Sequence, residues 1–186
     1  MQADFDVLII GGGMVGASLA LALQHSGLRL CVIEAVAYGS AQQPSYDDRT
    51  LALAYGSRRI FAAMEVWQRL ESGVTPIKRI HISDRGHFGA ARLDAREAGV
   101  EALGYVIENR VLGAVLTEMM AAAKNITLVC PAEMQGVEFT AETARVTVVQ
   151  AGKNRTLSAR LLVAADGGRS AVRAMLGIAT QRVEYD

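Results

Sequence analysis

Short unbroken apolar runs and longer segments with apolar residues every three or four positions alternate along this chain. Phe5–Ile10 is apolar except at Asp6, is rich in Val and Ile, and ends at glycines; it predicts a buried strand. Met14–Ser26 is dominated by Ala and Leu and predicts a helix that stops at Gly27. Leu28–Ile33 predicts a second buried strand. Strand, glycine turn, helix and strand within about thirty residues make a βαβ unit, with parallel strands and a right-handed crossover.

Residues 35–50 are polar, with Gly39, Pro44, Asp47 and Asp48, and read as a loop. Leu51–Leu70 reads as broadly helical, interrupted near Gly56-Ser57, with Ser57 as the cap of its second part. Lys78–Ser83 alternates and pairs with Ala91–Asp94 as a hairpin across Asp84-Arg85-Gly86. Asn109–Lys124 predicts a helix with Leu112, Val115, Leu116, Met119 and Met120 on one face. Strands follow at Ile126–Cys130, Met134–Phe139, Arg145–Gln150 and Leu157–Ala165, with a turn at Gly152-Lys153-Asn154. Ser170–Leu176 reads as a short helix closed by Gly177.

Composition narrows the function classes. Nineteen Lys and Arg balance nineteen Asp and Glu, and aromatics are 5% of 186 residues. That balance argues against nucleic acid as a partner. Cys31 and Cys130 lie far apart without a CxxC, and His25, His81 and His87 have no ligand spacing. No metal site and no disulfide scaffold are expected, and the thiols suit a reducing cytoplasmic setting. Residues 7–28 carry no Asp, Glu, Lys or Arg and are long enough to span a bilayer, but Asp4 and Asp6 precede them and three consecutive glycines interrupt them.

The chemistry concentrates at two glycine turns. Gly11-Gly12-Gly13-Met14-Val15-Gly16 fits GxGxxG between a strand and a helix. Gly11 permits the tight turn, Gly13 lets the backbone approach a pyrophosphate, and Gly16 allows close packing of helix on strand. The helix start at Met14 and Val15 offers N–H groups and a positive dipole end to phosphates. Glu34 ends the second strand, where a carboxylate accepts hydrogen bonds from both hydroxyls of an adenosine ribose and repels a 2′-phosphate. FAD and NAD are therefore both favoured over NADP here. The second turn is Asp166-Gly167-Gly168-Arg169-Ser170-Ala171-Val172-Arg173, a DGxxSxxR segment after an apolar strand. Asp166 suits the hydroxyls of a flavin side chain, and equally a local helix cap.

Together with Arg49 in the Asp47-Asp48-Arg49 segment, these turns resemble the flavoprotein aromatic hydroxylases of the para-hydroxybenzoate hydroxylase type. Tyr46-Asp47-Asp48-Arg49-Thr50-Leu51-Ala52-Leu53 and His81-Ile82-Ser83-Asp84-Arg85-Gly86-His87 resemble the ubiquinone-biosynthesis branch of that family. The resemblance implies an α/β fold: a Rossmann-like FAD-binding domain (GxGxxG βαβ unit, long helix, three-stranded meander) with the start of a β-rich substrate domain. It implies FAD-binding segments at 1–77 and 106–180, a first substrate-domain hairpin at 78–105 and a truncated tail at 181–186. Gly11, Gly13, Gly16 and Glu34 would hold the ADP half of FAD. Arg49 would lie beside the flavin, Asp166 and Gly167 would meet the ribityl-pyrophosphate region, and Asn109 or Arg110 would also touch FAD.

The implied reaction is hydroxylation of a polyprenylated phenol, a methoxyphenol, with NAD(P)H as reductant and O2, by way of a flavin C4a-hydroperoxide. The chemistry belongs to the cofactor, so no catalytic side chain is assigned, and His81, Arg85 and His87 read as hairpin residues. Family members continue for about as long again, with a further flavin-binding segment of the GDAAH type. The chain thus reads as an amino-terminal fragment, inactive alone as a hydroxylase. Unpaired hairpin edges would invite a second chain, including a homo-oligomer. A lipid substrate implies a cytoplasmic protein that visits the inner-membrane surface or a ubiquinone-biosynthesis complex as a peripheral component. A non-catalytic dinucleotide-binding module and an NAD-dependent dehydrogenase are the alternatives.

Overall fold

The computed structural model describes residues 3–40, 49–181 and 183–184. Most of the loop expected at 35–50, including Asp47 and Asp48, and part of the tail expected at 181–186 therefore lie outside the described residues. The chain divides into two compact units, residues 1–45 with 116–186, and residues 46–115.

In the first unit, β1 (Phe5–Ile10), α1 (Met14–Ala22) and β2 (Leu30–Ile33) form the βαβ unit. Val7–Ile10 and all of β2 are buried, as unbroken apolar runs require. The helix expected to reach Ser26 ends at Ala22, and Gly27 lies in the left-handed region in the turn beyond it (φ 75°).

The second unit opens with β3 (Thr50–Ala54), α2 (Tyr55–Ala63) and α3 (Trp67–Leu70), then a 3-10 turn at Glu71–Gly73 and β4 (Thr75–Ile77). The broadly helical reading of Leu51–Leu70 is corrected here. Thr50–Ala54 is a strand because it pairs antiparallel with β7 (Gly104–Glu108), placing Leu51 opposite Ile107 and Leu53 opposite Tyr105. That distant pairing overrides the helix propensity of Ala and Leu. Ser57 is not a cap: α2 starts after Ala54, without a side-chain cap. Gly104 is required by this pairing, because a Cβ there would fall 2.5 Å from Leu53 O. β4 pairs with the other edge of β7. The expected hairpin is present as β5 (Arg79–Ser83) and β6 (Ala90–Asp94), with Ile80 opposite Leu93.

α4 (Asn109–Ala122) buries Leu112, Leu116 and Met120, the i, i+4 stripe expected from sequence. Then follow β8 (Ile126–Val129), β9 (Glu133–Phe139), β10 (Ala144–Gln150), β11 (Lys153–Ala164) and α5 (Ala171–Met175). The turn between β10 and β11 sits at Ala151-Gly152, not at 152–154. Both residues have positive φ (49° and 72°), the left-handed pair of a two-residue hairpin turn, so pairing resumes at once from Lys153.

The six-stranded sheet of the first unit has the order β8-β2-β1-β11-β10-β9. β8, β2, β1 and β11 are mutually parallel, and β10 and β9 complete an antiparallel meander. One core cluster includes Leu8, Ile10, Cys31, Ile33, Val146, Val148, Leu157 and Val172. Consecutive strands β1 and β2 lie together while β11 takes the other side of β1. The carboxyl ends of β1, β2 and β11 therefore open onto one crevice, where open α/β sheets receive ligands.

Candidate functional site

The crevice is a cavity of about 420 Å³ lined by the ends of those strands: Ile10, Gly11 and Gly13 after β1, Ile33–Val36 after β2, and Ala165, Asp166 and Gly167 after β11. Ala132, Glu133 and Met134 at the start of β9, and Ala171 of α5, complete it. Gly11, Gly13, Glu34, Asp166 and Gly167, five of the residues singled out from sequence, thus share one cavity.

The three motif glycines have separable reasons to be glycine. Gly11 has φ 100°, and a Cβ there would fall 2.4 Å from Ala165 O, so β11 leaves no room for a side chain. Its N–H donates to Ile33 O at 2.8 Å, stitching the turn to β2. Gly16 is buried in α1, where a Cβ would fall 1.9 Å from Gly11 O. Gly13 has φ −69°, which any residue adopts, and it lines the cavity, so what its hydrogen leaves open is room for a ligand. α1 starts after Gly13 with no side-chain cap and no acidic residue in its first turn, and Val15 in that turn is 73% exposed. Among the described residues, no side chain of the helix's own first turn caps or neutralises its positive end, which suits an anionic group.

Glu34 is held by two backbone donors. Gly12 N–H donates to its Oε2 at 2.7 Å and Val36 N–H to its Oε1 at 2.8 Å. Each carboxylate oxygen accepts more than one hydrogen bond, so both retain capacity for sugar hydroxyls. The backbone at Glu34 is tied to the neighbouring strand end, its N–H donating to Val129 O at 3.0 Å and its carbonyl accepting from Ala132 N–H at 2.8 Å.

Asp166 serves in part as the cap that sequence reasoning held as the alternative. Its Oδ2 accepts from Val172 N–H at 3.1 Å, while Ser170 Oγ, at the N-cap of α5, accepts from Arg173 N–H at 3.0 Å. Asp166 Oδ1 is buried with no hydrogen-bond partner among the described residues. An unpaired buried carboxylate oxygen is costly, and in a residue lining a cavity it fits a ligand hydroxyl. Gly167 follows at φ 78°, a conformation that favours glycine.

Arg49, Asn109 and Arg110 belong to the second unit. Asn109 is buried, and its N–H donates to Arg49 O at 2.9 Å, which brings these two residues together. Arg110 pairs with Glu108. In the hairpin, His87 Nδ1 lies 2.9 Å from Asp84 Oδ2, and Arg92 Nε donates to His81 Nδ1 at 3.3 Å. Burial pushes the Cys31 thiol up to about 12, so it stays protonated within the core.

Sequence reasoning missed Ala132–Met134, Val36 and Gly12. Ala132–Met134 follow from sheet order: β8 pairs with β2, so the chain leaving β8 passes the same crevice, while Val36 lies just beyond β2 itself. Gly12, the x of the motif, is constrained too, though by a side chain where Gly11 and Gly16 meet backbone, since a Cβ there would fall 2.1 Å from Tyr38 Oη.

Residues 4–185 match the family described as FAD binding domain. The chain is 36% identical over 98% of its length to the uncharacterized protein slr1300 of Synechocystis, covering 43% of that protein. It is 33% identical over 97% of its length to the ubiquinone hydroxylase UbiL of Rhodospirillum rubrum, covering 41% of it. The fold is shared with the flavin-dependent monooxygenase PieE, solved in complex with FAD and substrate (TM-score 0.77, 24% identity, 97% of this chain and 33% of that one). The chain thus spans about two-fifths of the length of the curated relatives it matches.

Proposed function

Because the chain belongs to the FAD binding domain family, we propose that its first unit holds the ADP half of FAD in this cavity, as part of a flavin-dependent monooxygenase. The observation that carries the placement is the pairing, in one cavity, of an uncapped helix start after Gly13 with the Glu34 carboxylate. The pyrophosphate is assigned to the N–H groups at Gly13, Met14 and Val15, and the adenosine ribose to Glu34. Asp166 Oδ1 accepts a hydroxyl of the ribityl chain, and Gly167 allows the close approach. The resemblance adds Arg49 and Asn109 or Arg110 as further FAD contacts.

When bound, FAD supplies the redox chemistry of the hydroxylation. This chain's own residues bind and orient it: the glycine turn fixes the phosphates, and Glu34 fixes the sugar and disfavours a 2′-phosphate. The similarity to the ubiquinone hydroxylase UbiL supports a ring of the ubiquinone type as the parent protein's substrate; a polyprenylated methoxyphenol, with NAD(P)H and O2 as co-substrates, is what the family resemblance implies. Such a lipid is met at a membrane surface, and among the described residues no helix is long and apolar enough to cross a membrane.

The test is titration of the chain with FAD, followed by flavin fluorescence, with NAD as competitor. Saturable binding that NAD does not displace is expected. Binding of NAD without FAD would favour the dehydrogenase alternative.

A further inference from the structure

We propose that Tyr38 is a positioning residue that locks the Gly12–Glu34 hydrogen bond of the cofactor site; the inference rests on the reading that this site holds FAD. Gly11 and Gly13 line the cavity, whereas Gly12 between them is buried and does not. Gly12 also lies outside the left-handed region, so its conformation makes no demand for glycine. The demand comes from Tyr38. A Cβ at position 12 would lie 2.1 Å from the phenol oxygen, 3.1 Å from Tyr38 Cζ and 3.1 Å from Glu34 Cβ. The phenol therefore occupies the space on the face of Gly12 that a side chain would take, beside the residue whose N–H holds the Glu34 carboxylate at 2.7 Å.

The phenol oxygen is buried and has no hydrogen-bond partner among the described residues. Burial, with smaller contributions from the Cys130 thiol and the Glu34 carboxylate, pushes its ionisation up, so it stays neutral. With no hydrogen-bond partner for the phenol among the described residues, what Tyr38 contributes is the space it fills. By filling that face, Tyr38 shields the Gly12 side of the Gly12–Glu34 bond, which is stronger where water is excluded. The segment bearing it is fastened at its other end, where Cys130 Sγ donates to Val36 O at 3.4 Å. Tyr38 does not line the cavity, so it acts on the cofactor through Gly12 and Glu34.

The test is a double-mutant cycle of Gly12→Ala with Tyr38→Phe, each also made alone, together with Tyr38→Ala, read as FAD affinity by flavin fluorescence, with melting temperature measured without FAD. Tyr38→Ala is expected to weaken FAD about fivefold or more by opening the Gly12–Glu34 bond to water, and Gly12→Ala about tenfold or more by forcing the turn off the phenol. Adding Tyr38→Phe to Gly12→Ala removes the atom at 2.1 Å and leaves Cζ at 3.1 Å, so the pair is expected to recover part of the lost affinity. Two independently harmful changes would add instead of rescuing. Wild-type affinity in Tyr38→Ala, or no recovery in Gly12→Ala with Tyr38→Phe, would overturn the inference while leaving the cofactor site standing. Failure of the unmodified chain to bind FAD would overturn the cofactor reading, and this inference with it.

Discussion

Gly16→Ala sets two physical effects against each other with opposite sign. Gly16 lies within α1, and alanine is the better helix former by about 1 kcal/mol, so propensity alone expects a more stable protein. The structure expects the reverse. The new Cβ would fall 1.9 Å from Gly11 O and 3.2 Å from Ile9 Cγ2. Restoring ordinary contact requires the helix to retreat from the turn by about 1.5 Å. The obstructing atom is backbone and is held in place, since Gly11 N–H is bonded to Ile33 O at 2.8 Å. No side chain can rotate away, so overpacking costs toward the upper end of its usual range, about 3 kcal/mol. The net expectation is a loss of about 2 kcal/mol, which in a chain of this size lowers Tm by roughly 4–8 °C. The helix start that receives the phosphates moves with it, so FAD affinity falls as well. Thermal unfolding followed by circular dichroism measures the first effect and flavin fluorescence titration the second. A Tm equal to or above that of the unmodified chain would refute the close-packing argument.

Three further outcomes are expected. Glu34→Gln leaves one of the two N–H groups at Gly12 and Val36 facing an amide NH2, so unfolding in urea should show a loss of about 1–3 kcal/mol. FAD affinity should fall about tenfold in the same variant, and unchanged affinity would count against Glu34 as the ribose acceptor. Asp166→Asn keeps an oxygen to cap Val172 N–H but replaces the unpaired Oδ1 with a donor, so stability should stay within about 0.5 kcal/mol while FAD binding weakens severalfold. Asp4 is held below its ordinary value of 3.8 chiefly by hydrogen bonds from the Ser158 side chain and backbone. A carboxyl lowered in the folded state contributes fully above the ordinary value and loses the contribution as pH falls from there through its lower folded value. The stability gap between the unmodified chain and Asp4→Asn should therefore be constant near neutrality and close below pH 3.8; a gap that widened on acidification would contradict this.

What the sequence made legible divides along local and non-local lines. β1, the glycine turn, α1 and β2 are set by neighbours in the chain: apolar runs, a break at glycine, a helical stretch. The β9–β11 meander was legible for the same reason, since its strands pair with the next in sequence. β3 was misread because Thr50–Ala54 carries good helix formers, and its strand character comes from β7, far along the chain. β4 and β7 were missed as strands for the matching reason, each being short and stabilised by a distant partner. The site follows the same division. Gly11, Gly13, Gly16 and Glu34 were found because one turn and one strand end place them. Ala132–Met134 depend on β8 lying beside β2, and the constraint on Gly12 depends on the path of the chain back to Tyr38. Spacing along the chain carries neither fact.

The most direct test of the central claim is a crystal structure of the chain with FAD. The account predicts the pyrophosphate at the N–H groups of Gly13, Met14 and Val15, with the adenosine ribose hydroxyls on Glu34. FAD bound elsewhere on the chain, with this cavity empty, would contradict it.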